Sequence, residues 1–243
     1  MDVNTNKKIV FLTGSNGQLG KAISQKMSLE YEIYNLDISF TDQEVDSHHI
    51  KLDIAKVDEV KELYNQINPD ILVNNAGISV FSSFLDRNSD ELDRVFDVNL
   101  KGSINMINEF ARINKNNKKA KCVINIASLY GLVSADPRIY TDCDRNSPEI
   151  YAATKAGIIQ ITKYYCVHLA DMNIRVNAVS PGGIFNPEQP QGDDFVTNYS
   201  NRCPMKKMGS AEDIANGISF LASEQSSYVN GHNLVIDGGF TSW

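Results

Sequence analysis

The chain has 243 residues, 42% of them hydrophobic, which is enough for the core of one large α/β domain or of two small ones. Its net charge of -7 at pH 7, without a basic stripe, argues against nucleic acid as the main partner. No apolar run approaches the roughly 18 residues that a membrane span needs, and the polar residues 1–8 lack the apolar region of a signal peptide. We therefore expect a cytoplasmic protein that does not engage a membrane.

The first predicted unit is a strand, a glycine turn and a helix. An apolar run at 8–13 precedes the turn, and helical spacing follows at 21–29. In such a unit the glycines let the backbone approach a pyrophosphate, and the helix N-terminus faces its charge. We predict a dinucleotide-binding turn whose cofactor contacts are Gly14, Asn16, Gly17, Gln18, Leu19 and Gly20.

The second predicted strand, 31–36, ends in Asp37, which is 17 positions after Gly20 (37 − 20). A carboxylate there can accept hydrogen bonds from both hydroxyls of the adenosine ribose and would repel a 2′-phosphate. We therefore expect NAD(H) to be preferred, with NADP(H) as the second choice. The alternative is an aspartate that only belongs to a β-turn.

Strands and helices alternate along the rest of the chain. We predict strands at 49–52, 70–73, 120–128, 174–179 and 233–236, and helices at 56–67, 90–113, 150–169 and 211–223. This alternation is typical of a parallel sheet covered by helices on both faces. We therefore expect an α/β, single-domain Rossmann fold over residues 1–243, with a doubly wound parallel sheet of about seven strands. The cysteines and histidines lack metal-ligand spacing, so we predict no metal.

Two residues of the predicted helix 150–169 could do acid–base chemistry. Tyr151 and Lys155 are four residues apart and so lie on one face of the helix. A phenol with a pKa near ~10 is a poor base at neutral pH, but a nearby ammonium favours the phenolate and lowers that pKa. The pair could then exchange a proton with a substrate oxygen. Taken alone, this spacing occurs more often in a helix with a buried tyrosine and an exposed lysine.

Six motifs in order along the chain resemble those of the short-chain dehydrogenase/reductase family. They are T-G-x-x-G-x-x-G at 13–20, N-N-A-G at 74–77, Asn99 in V-N-L, Ser128 after I-N-I, Tyr151-x-x-x-Lys155, and P-G-G-I at 181–184. The resemblance implies an NAD(P)-dependent oxidoreductase that transfers hydride between nicotinamide and an alcohol or ketone. Its catalytic residues would be Ser128, Tyr151, Lys155 and Asn99.

The resemblance also implies a role for each of these residues. Tyr151 would exchange the proton on the substrate oxygen, and Ser128 would bind the same oxygen. Lys155 would lower the pKa of Tyr151 and hold the nicotinamide ribose, and Asn99 would anchor a water linked to Lys155. The further cofactor contacts that it implies are Ile38, Asp53, Ile54, Asn75, Ala76, Gly77, Pro181, Gly182 and Ile184, together with Tyr151 and Lys155. Members usually assemble, so we expect a homotetramer, with a homodimer as the second choice.

The chain departs from the family pattern at three places. Gln18 stands where the shorter members usually have glycine, and Asn186 lies near the position of a threonine that often follows P-G. The third is an insertion at 133–150, because 22 residues separate Ser128 from Tyr151 (151 − 128 − 1), more than the family usually has. We interpret the insertion as a substrate-facing loop in which Arg138 and Arg145 could bind an anionic group. The alternative is a solvated surface loop whose arginines pair with Asp136, Asp142 or Asp144.

The insertion, the P-G-G-I-F segment and the D-G-G-F-T-S-W end resemble a narrower group of bacterial oxidoreductases. These belong to surface-polysaccharide and flagellin-glycan pathways, including those of legionaminic acid precursors. This resemblance implies a sugar phosphate or nucleotide sugar as substrate, with 185–209 as a lid and with Phe185 and Asn186 as further substrate contacts. Two alternatives stay open, namely a 3-oxoacyl-type ketoreductase that uses NADPH and a non-catalytic dinucleotide-sensing or scaffold protein on the same fold.

Overall fold

The computed structural model describes residues 7–117, 119–141 and 147–243. The strands in these residues are β1 (Ile9–Thr13), β2 (Glu32–Asp37), β3 (His49–Lys51), β4 (Ile71–Asn74), β5 (Lys121–Ile126), β6 (Ile174–Pro181) and β7 (Asn233–Ile236). The α-helices are α1 (Gln18–Met27), α2 (Val57–Gln66), α3 (Ser89–Phe96), α4 (Ser103–Asn114), α5 (Glu149–His168), α6 (Asp193–Arg202) and α7 (Ala211–Ala222).

The strands of the described chain form one sheet of seven, in the order β3-β2-β1-β4-β5-β6-β7. Every neighbouring pair is parallel. The predicted fold class, a doubly wound Rossmann sheet with helices on both faces, is confirmed. The strand order reverses between β1 and β4, and a crevice at such a switch point, beyond the carboxyl ends of the strands, is where this fold binds ligands.

The central strands are apolar on both faces, which is why they lie inside a two-layer cover of helices. In β1, Val10 and Leu12 face α1 and α7, whereas Phe11 faces the opposite layer of α2 and α4. All three side chains are fully buried. This alternation anchors β1 in the middle of the sheet and places the glycine turn that follows it at the switch point.

The predicted helix 90–113 is interrupted in the structure. α3 and α4 are joined by a π-helical turn at Asp97–Gly102, and Asn99 lies in that turn. A π-helical turn accommodates an additional residue in the helix and is often found at functional sites. Gly102 closes the turn where a Cβ would lie 2.7 Å from the side chain of Ile54, so only glycine lets the helix pack this closely there.

The predicted lid, 185–209, contains a helix that the sequence did not predict. α6 buries Phe195 and Tyr199, which are four residues apart, in a cluster with Leu129, Ile139 and Phe240. Two apolar anchors in ten residues are too few for a helical period to be recognised. In the described residues, no helix is both long and apolar enough to cross a membrane.

Candidate active site

The glycine turn is braced by the strand beside it. Asn75 Nδ2 donates hydrogen bonds to the carbonyl oxygens of Thr13 (3.1 Å) and Gly14 (2.8 Å). Thr13 Oγ1 accepts from the backbone amides of Asn75 and Ala76, both at 3.1 Å. Gly14 has φ +66°, and a Cβ there would lie 2.6 Å from Ala76 Cα. Asn75, a predicted cofactor contact, therefore fixes the shape of the turn itself.

Two further glycines shape the surface of the turn. A Cβ at Gly20 would lie 2.2 Å from the Gly14 carbonyl oxygen, whereas one at Gly17 would lie no closer than 3.6 Å to any atom. Gly17 precedes α1 without a side-chain cap, and the first turn of α1 has no acidic residue. The N-terminal amides of α1 are thus open to an anion, the geometry that suits a pyrophosphate.

A cleft of about 420 Å³ lies over this turn. The residues that line it are Gly14, Asn16, Gly17, Gln18, Leu19, Gly20, Asp37, Ser39, Asn75, Ala76 and Gly77. Except for Ser39, all of these residues were predicted from the sequence. Ser39 lies two residues after Asp37, a spacing typical of a turn in which an aspartate bonds the following backbone.

Asp37 lies at the border between this cleft and a second cavity. Its carboxylate accepts hydrogen bonds from the Asn16 amide (2.9 Å) and from the amide and hydroxyl of Ser39 (2.9 and 2.7 Å). A carboxylate can accept about four such bonds, so acceptor capacity for about one more bond is left for a ribose hydroxyl.

The second cavity has a volume of about 490 Å³ and is lined by apolar side chains and by several aspartates. It brings together Asp37, Ile38, Asp53, Ile54, Ala76 and Gly77, as predicted. The sequence did not indicate its other wall, where α3 and the following turn contribute Asp90, Asp93, Arg94 and Asp97. These side chains are charged and lie on a helix surface, so their pattern is that of an ordinary solvated face. Both cavities together fit an extended dinucleotide.

Ser128 and Tyr151 meet at the carboxyl end of β5. Ser128 starts a short 3-10 turn and accepts a hydrogen bond from the Tyr130 amide at 3.2 Å. Tyr151 lies in the first turn of α5. Burial raises the pKa of the Tyr151 phenol, an effect that a hydrogen bond from Ser128 offsets in part. The direction is the opposite of the one that we predicted.

Lys155 lies one turn after Tyr151 and is almost fully buried, with 4% of its surface exposed. Its Nζ lies 5.5 Å from the centre of the Tyr151 ring and donates to the Ile126 carbonyl oxygen at 2.7 Å. Burial lowers the pKa of Lys155 to about 8. The predicted lowering of the Tyr151 pKa by Lys155 is therefore wrong for this structure, because removal from water dominates both groups.

Asn99 joins three elements close to Tyr151 and Lys155. Its Oδ1 accepts from the Ile78 amide at 2.8 Å, and its Nδ2 donates to the Ile78 carbonyl oxygen (3.0 Å) and to Thr154 Oγ1 (3.2 Å). The Asn99 carbonyl oxygen accepts from the Ser103 hydroxyl at 2.9 Å. The side chain thus holds the segment after β4 against α5. The water that we expect at Asn99 stays a prediction.

A cavity of about 410 Å³ opens in front of Ser128 and Tyr151. Aromatic side chains dominate its wall, namely Phe81, Tyr130, Tyr140, Phe195 and Tyr199. The hydroxyls of Tyr130 and Tyr140 are 2.8 Å apart, and the Tyr199 hydroxyl accepts from the Gly183 amide at 2.6 Å. Gly182 and Ile184 also line the cavity, as do the polar side chains of Ser79, Ser147 and Gln191. Among the described residues that form this wall, none has a charged side chain.

The insertion and the lid close this cavity together. Ile139 is buried against α6, the rings of Tyr140 and Phe195 are 5.2 Å apart, and Asn198 Nδ2 donates to Thr141 Oγ1 at 2.9 Å. The sequence spacing indicates the insertion but does not single out Tyr140 as a cavity residue. The contact of Tyr140 with Tyr130 joins positions ten residues apart that no local pattern connects.

The predicted substrate contacts outside the cavity have other partners. Arg138 is 84% exposed at its side chain and pairs with both carboxylate oxygens of Asp136, at 2.9 and 2.7 Å. This pairing with Asp136 is the one expected from the alternative interpretation, a solvated surface loop. Arg145 lies outside the described residues. Phe185 and Asn186 line a different cavity of about 830 Å³, together with Lys21, Lys206 and Lys207.

Pro181 and Gly182, both predicted cofactor contacts, lie at the end of β6. Pro181 is the last residue of β6 and is paired with Ile236. Gly182 approaches the last strand so closely that a Cβ would lie 2.7 Å from Asp237 Cα. Pro181 therefore belongs to the sheet, and the loop that follows β6 starts directly after it.

Within the described ranges, no group of three or more His, Cys, Asp or Glu side chains could hold a metal ion.

Comparisons with known proteins agree with this geometry. Residues 35–241 match the family described as enoyl-(acyl carrier protein) reductase. The 3-oxoacyl-[acyl-carrier-protein] reductase FabG of Staphylococcus epidermidis is 31% identical, over 96% of this chain and 98% of that protein.

Solved structures extend the comparison. A short chain dehydrogenase from Leptospira borgpetersenii serovar Hardjo-bovis, with bound NAD+, is 41% identical and has a TM-score of 0.88, covering 97% of this chain and 93% of that one. The aldohexose dehydrogenase of Thermoplasma acidophilum is 26% identical with a TM-score of 0.80, covering 98% of this chain and 95% of that one.

Proposed function

Because this chain belongs to the short-chain dehydrogenase/reductase family and is thus an NAD(P)-dependent oxidoreductase, we propose that it prefers NAD(H) and acts on an alcohol or ketone carbon of a sugar-derived substrate. The observation that carries the substrate proposal is the cavity in front of Ser128 and Tyr151, whose described lining residues include no charged side chain. Aromatic faces suit the C–H surface of a sugar ring, and phenol, hydroxyl and amide groups suit its oxygens. The aldohexose dehydrogenase relative adds support.

The chemistry follows from the positions of the side chains. Bound nicotinamide supplies or accepts the hydride at the substrate carbon. Tyr151 exchanges the proton on the substrate oxygen, and Ser128 donates a hydrogen bond to that oxygen. Lys155, whose pKa burial holds at about 8, is mostly protonated at pH 7 and keeps a positive charge behind the Tyr151 ring. Asn99 is bonded to Ile78 and Thr154, and it lies beside Gly77, against which the Lys155 ammonium is packed.

The preference for NAD(H) rests on the charges around the second cavity. Asp37, Asp53, Asp90, Asp93 and Asp97 line it, against the single positive charge of Arg94 among its described residues. A 2′-phosphate placed there would bring further negative charge into an acidic site. Neutral ribose hydroxyls bring none and can donate to Asp37.

A 3-oxoacyl-type ketoreductase that uses NADPH is the second candidate, and the similarity to FabG favours it. Two features of the site weigh against it. The acidic cavity disfavours NADPH, and the insertion packs on α6 across the substrate cavity, where an extended acyl thioester would need an open groove.

The same proposal covers assembly, location and pathway. We propose a homotetramer, or secondly a homodimer, because apolar side chains of α3 and α5 remain exposed, among them Phe96, Tyr164 and Val167. We also propose a cytoplasmic enzyme of a surface-polysaccharide or flagellin-glycan pathway, such as that of legionaminic acid, which acts on an uncharged sugar precursor rather than on the sugar phosphate or nucleotide sugar that the resemblance implies. The insertion and the C-terminal motif, which resemble those of such enzymes, support this.

The test is a fluorescence titration of the purified protein with NADH and with NADPH, repeated in the presence of a neutral probe sugar, D-glucose, and of glucose 6-phosphate. We expect tighter binding of NADH than of NADPH and a response to the neutral sugar. Equal or tighter binding of NADPH would remove the argument from the acidic cavity. A response confined to the phosphorylated sugar would contradict the assignment of an uncharged substrate cavity.

A further inference from the structure

Gln18 connects the glycine turn to the lid. It is the first residue of α1, and its Nε2 donates a hydrogen bond to the Phe185 carbonyl oxygen at 2.7 Å. The two residues are 167 positions apart in the sequence. Phe185 begins the lid segment that follows β6. A single neutral hydrogen bond therefore joins the glycine turn to the lid segment.

The position of Gln18 makes this bond part of the wall of the cofactor cleft. Gln18 lines the cleft of about 420 Å³ over the glycine turn and also lines the neighbouring cavity of about 830 Å³. Phe185 lines only the second of these two spaces. The bridge between Gln18 and Phe185 thus stands between them and encloses one side of the space that suits the pyrophosphate.

The lid end of the bridge is firmly held. The Phe185 amide donates to the Gly209 carbonyl oxygen at 2.9 Å. Gln191 Nε2 donates to the Ile184 carbonyl oxygen at 2.9 Å, and Asn186 Oδ1 accepts from the Glu188 amide at 3.0 Å. Because the loop 184–191 is bonded to itself, a bond to its Phe185 carbonyl positions the loop as a unit.

We propose that Gln18 is a cofactor-retaining residue. Its side-chain amide keeps the loop 184–191 against the glycine turn, and its hydrogen bond to Phe185 has to break before the dinucleotide dissociates. The role is that of a positioning residue and adds to the contact of Gln18 with the turn itself. Loss of the bridge leaves the fold intact, since Gln18 lies at a helix start and methionine is an equally good helix former.

The experiment compares Gln18→Met with the wild type and with Gln25→Met. Methionine keeps the length of glutamine and removes the donor. Gln25 is a matched control, because it lies on the same helix and lines the same cavity of about 830 Å³, and in the described chain it makes no side-chain hydrogen bond to the lid. The readouts are the dissociation rate of NADH in stopped-flow displacement and amide hydrogen exchange of 184–191, with and without NADH.

We expect Gln18→Met to raise the NADH dissociation rate about three- to tenfold, the effect of one neutral hydrogen bond, and to speed exchange in 184–191 even without cofactor. Gln25→Met stays within about twofold of the wild type on the same scale. An unchanged dissociation rate overturns the proposal. Faster dissociation with unchanged exchange of 184–191 overturns it too, since Gln18 would then act on the cofactor alone. Exchange without cofactor reports on the bridge independently of the preference for NAD(H).

Discussion

Lys155 points its ammonium past Tyr151, with Nζ 5.5 Å from the centre of the phenol ring and its hydrogen bond at 2.7 Å on the Ile126 carbonyl oxygen. Burial governs the pKa of both residues, raising that of Tyr151 and lowering that of Lys155 to about 8. The protein therefore removes the two groups from water at the site where we propose that the proton moves. Such perturbed groups are typical of catalytic sites.

Replacing Tyr151 with phenylalanine tests the proton transfer. The variant keeps the ring and loses the only group that we assign to exchange a proton with the substrate oxygen, so turnover falls by about 10²–10⁴-fold. NADH binding, measured by fluorescence titration, stays within about twofold, since one hydroxyl is removed at a distance from the glycine turn. Turnover near that of the wild type would show that another group moves the proton.

Lys155→Met is expected to lose activity and to be more stable to unfolding than the wild type at pH 7. The folded protein lowers the Lys155 pKa from ~10.4 to about 8, so protonated Lys155 destabilises the native state by up to about 3 kcal/mol below pH 8. The unfolded chain binds the proton more tightly, and wild-type stability therefore rises with pH between about 8 and 10.4. Denaturant unfolding at pH 7 and at pH 10 measures this difference. The variant's advantage is largest at pH 7 and shrinks at pH 10, and an advantage that is independent of pH contradicts the account.

The residues whose roles depend on local sequence were the ones that could be predicted. Gly14, Gly20 and Asp37 occupy fixed offsets from β1 and β2, so the spacing located the cleft over the glycine turn, whereas Asp53, Ile54 and Gly77 of the second cavity came from the family resemblance. The fold followed in the same way from the alternation of apolar strands and amphipathic helices. The helical spacing of Tyr151 and Lys155 suggested a pair on one face, and the set of six family motifs singled the pair out as catalytic candidates.

The features that were missed depend on contacts between distant segments or on burial. The bonds of Tyr199 to Gly183 and of Gln18 to Phe185 join residues that no period in the sequence relates. The π-helical turn at Asn99 changes no hydrophobic pattern. The pKa of Tyr151 could not be derived from the spacing of Lys155, because its direction depends on how far the phenol is removed from water.

Asp37→Ala tests the cofactor preference. Removing the carboxylate deletes acceptors for the ribose hydroxyls and one negative charge of the second cavity, so NADH binds about tenfold more weakly and NADPH gains relative to NADH. Asp42→Ala is the control, because Asp42 is exposed on the next loop and lines neither cofactor cavity. Dissociation constants from NADH and NADPH titrations check both changes. Unchanged NADH affinity in Asp37→Ala would refute the role of this carboxylate.

Two glycines of the turn provide a matched pair. A Cβ at Gly20 would lie 2.2 Å from a backbone oxygen, whereas at Gly17 the nearest atom is 3.6 Å away. We expect Gly20→Ala to lower the midpoint of thermal unfolding and to abolish NADH binding. Gly17→Ala keeps the midpoint and weakens NADH binding only, since the methyl group enters the cleft. Equal thermal midpoints for the two variants would be inconsistent with the packing of the turn.

Arg138→Ala separates a substrate-binding arginine from a surface ion pair. Arg138 is paired with Asp136 and largely exposed, so its loss changes KM by less than about twofold and leaves the midpoint of thermal unfolding almost unchanged. Steady-state kinetics with a sugar that the enzyme oxidises measures the change in KM. A tenfold increase in KM would assign Arg138 to the substrate site after all.

The most direct test of the central claim is a comparison of initial rates in two reactions. One is oxidation of neutral aldoses, D-glucose among them, with NAD+, and the other is reduction of acetoacetyl-CoA with NADPH. The cavity of uncharged aromatic and hydroxyl groups and the acidic cofactor site predict turnover in the first reaction, lost in Tyr151→Phe, and far slower turnover in the second. Faster reduction of the thioester with NADPH would contradict the account and establish the ketoreductase alternative.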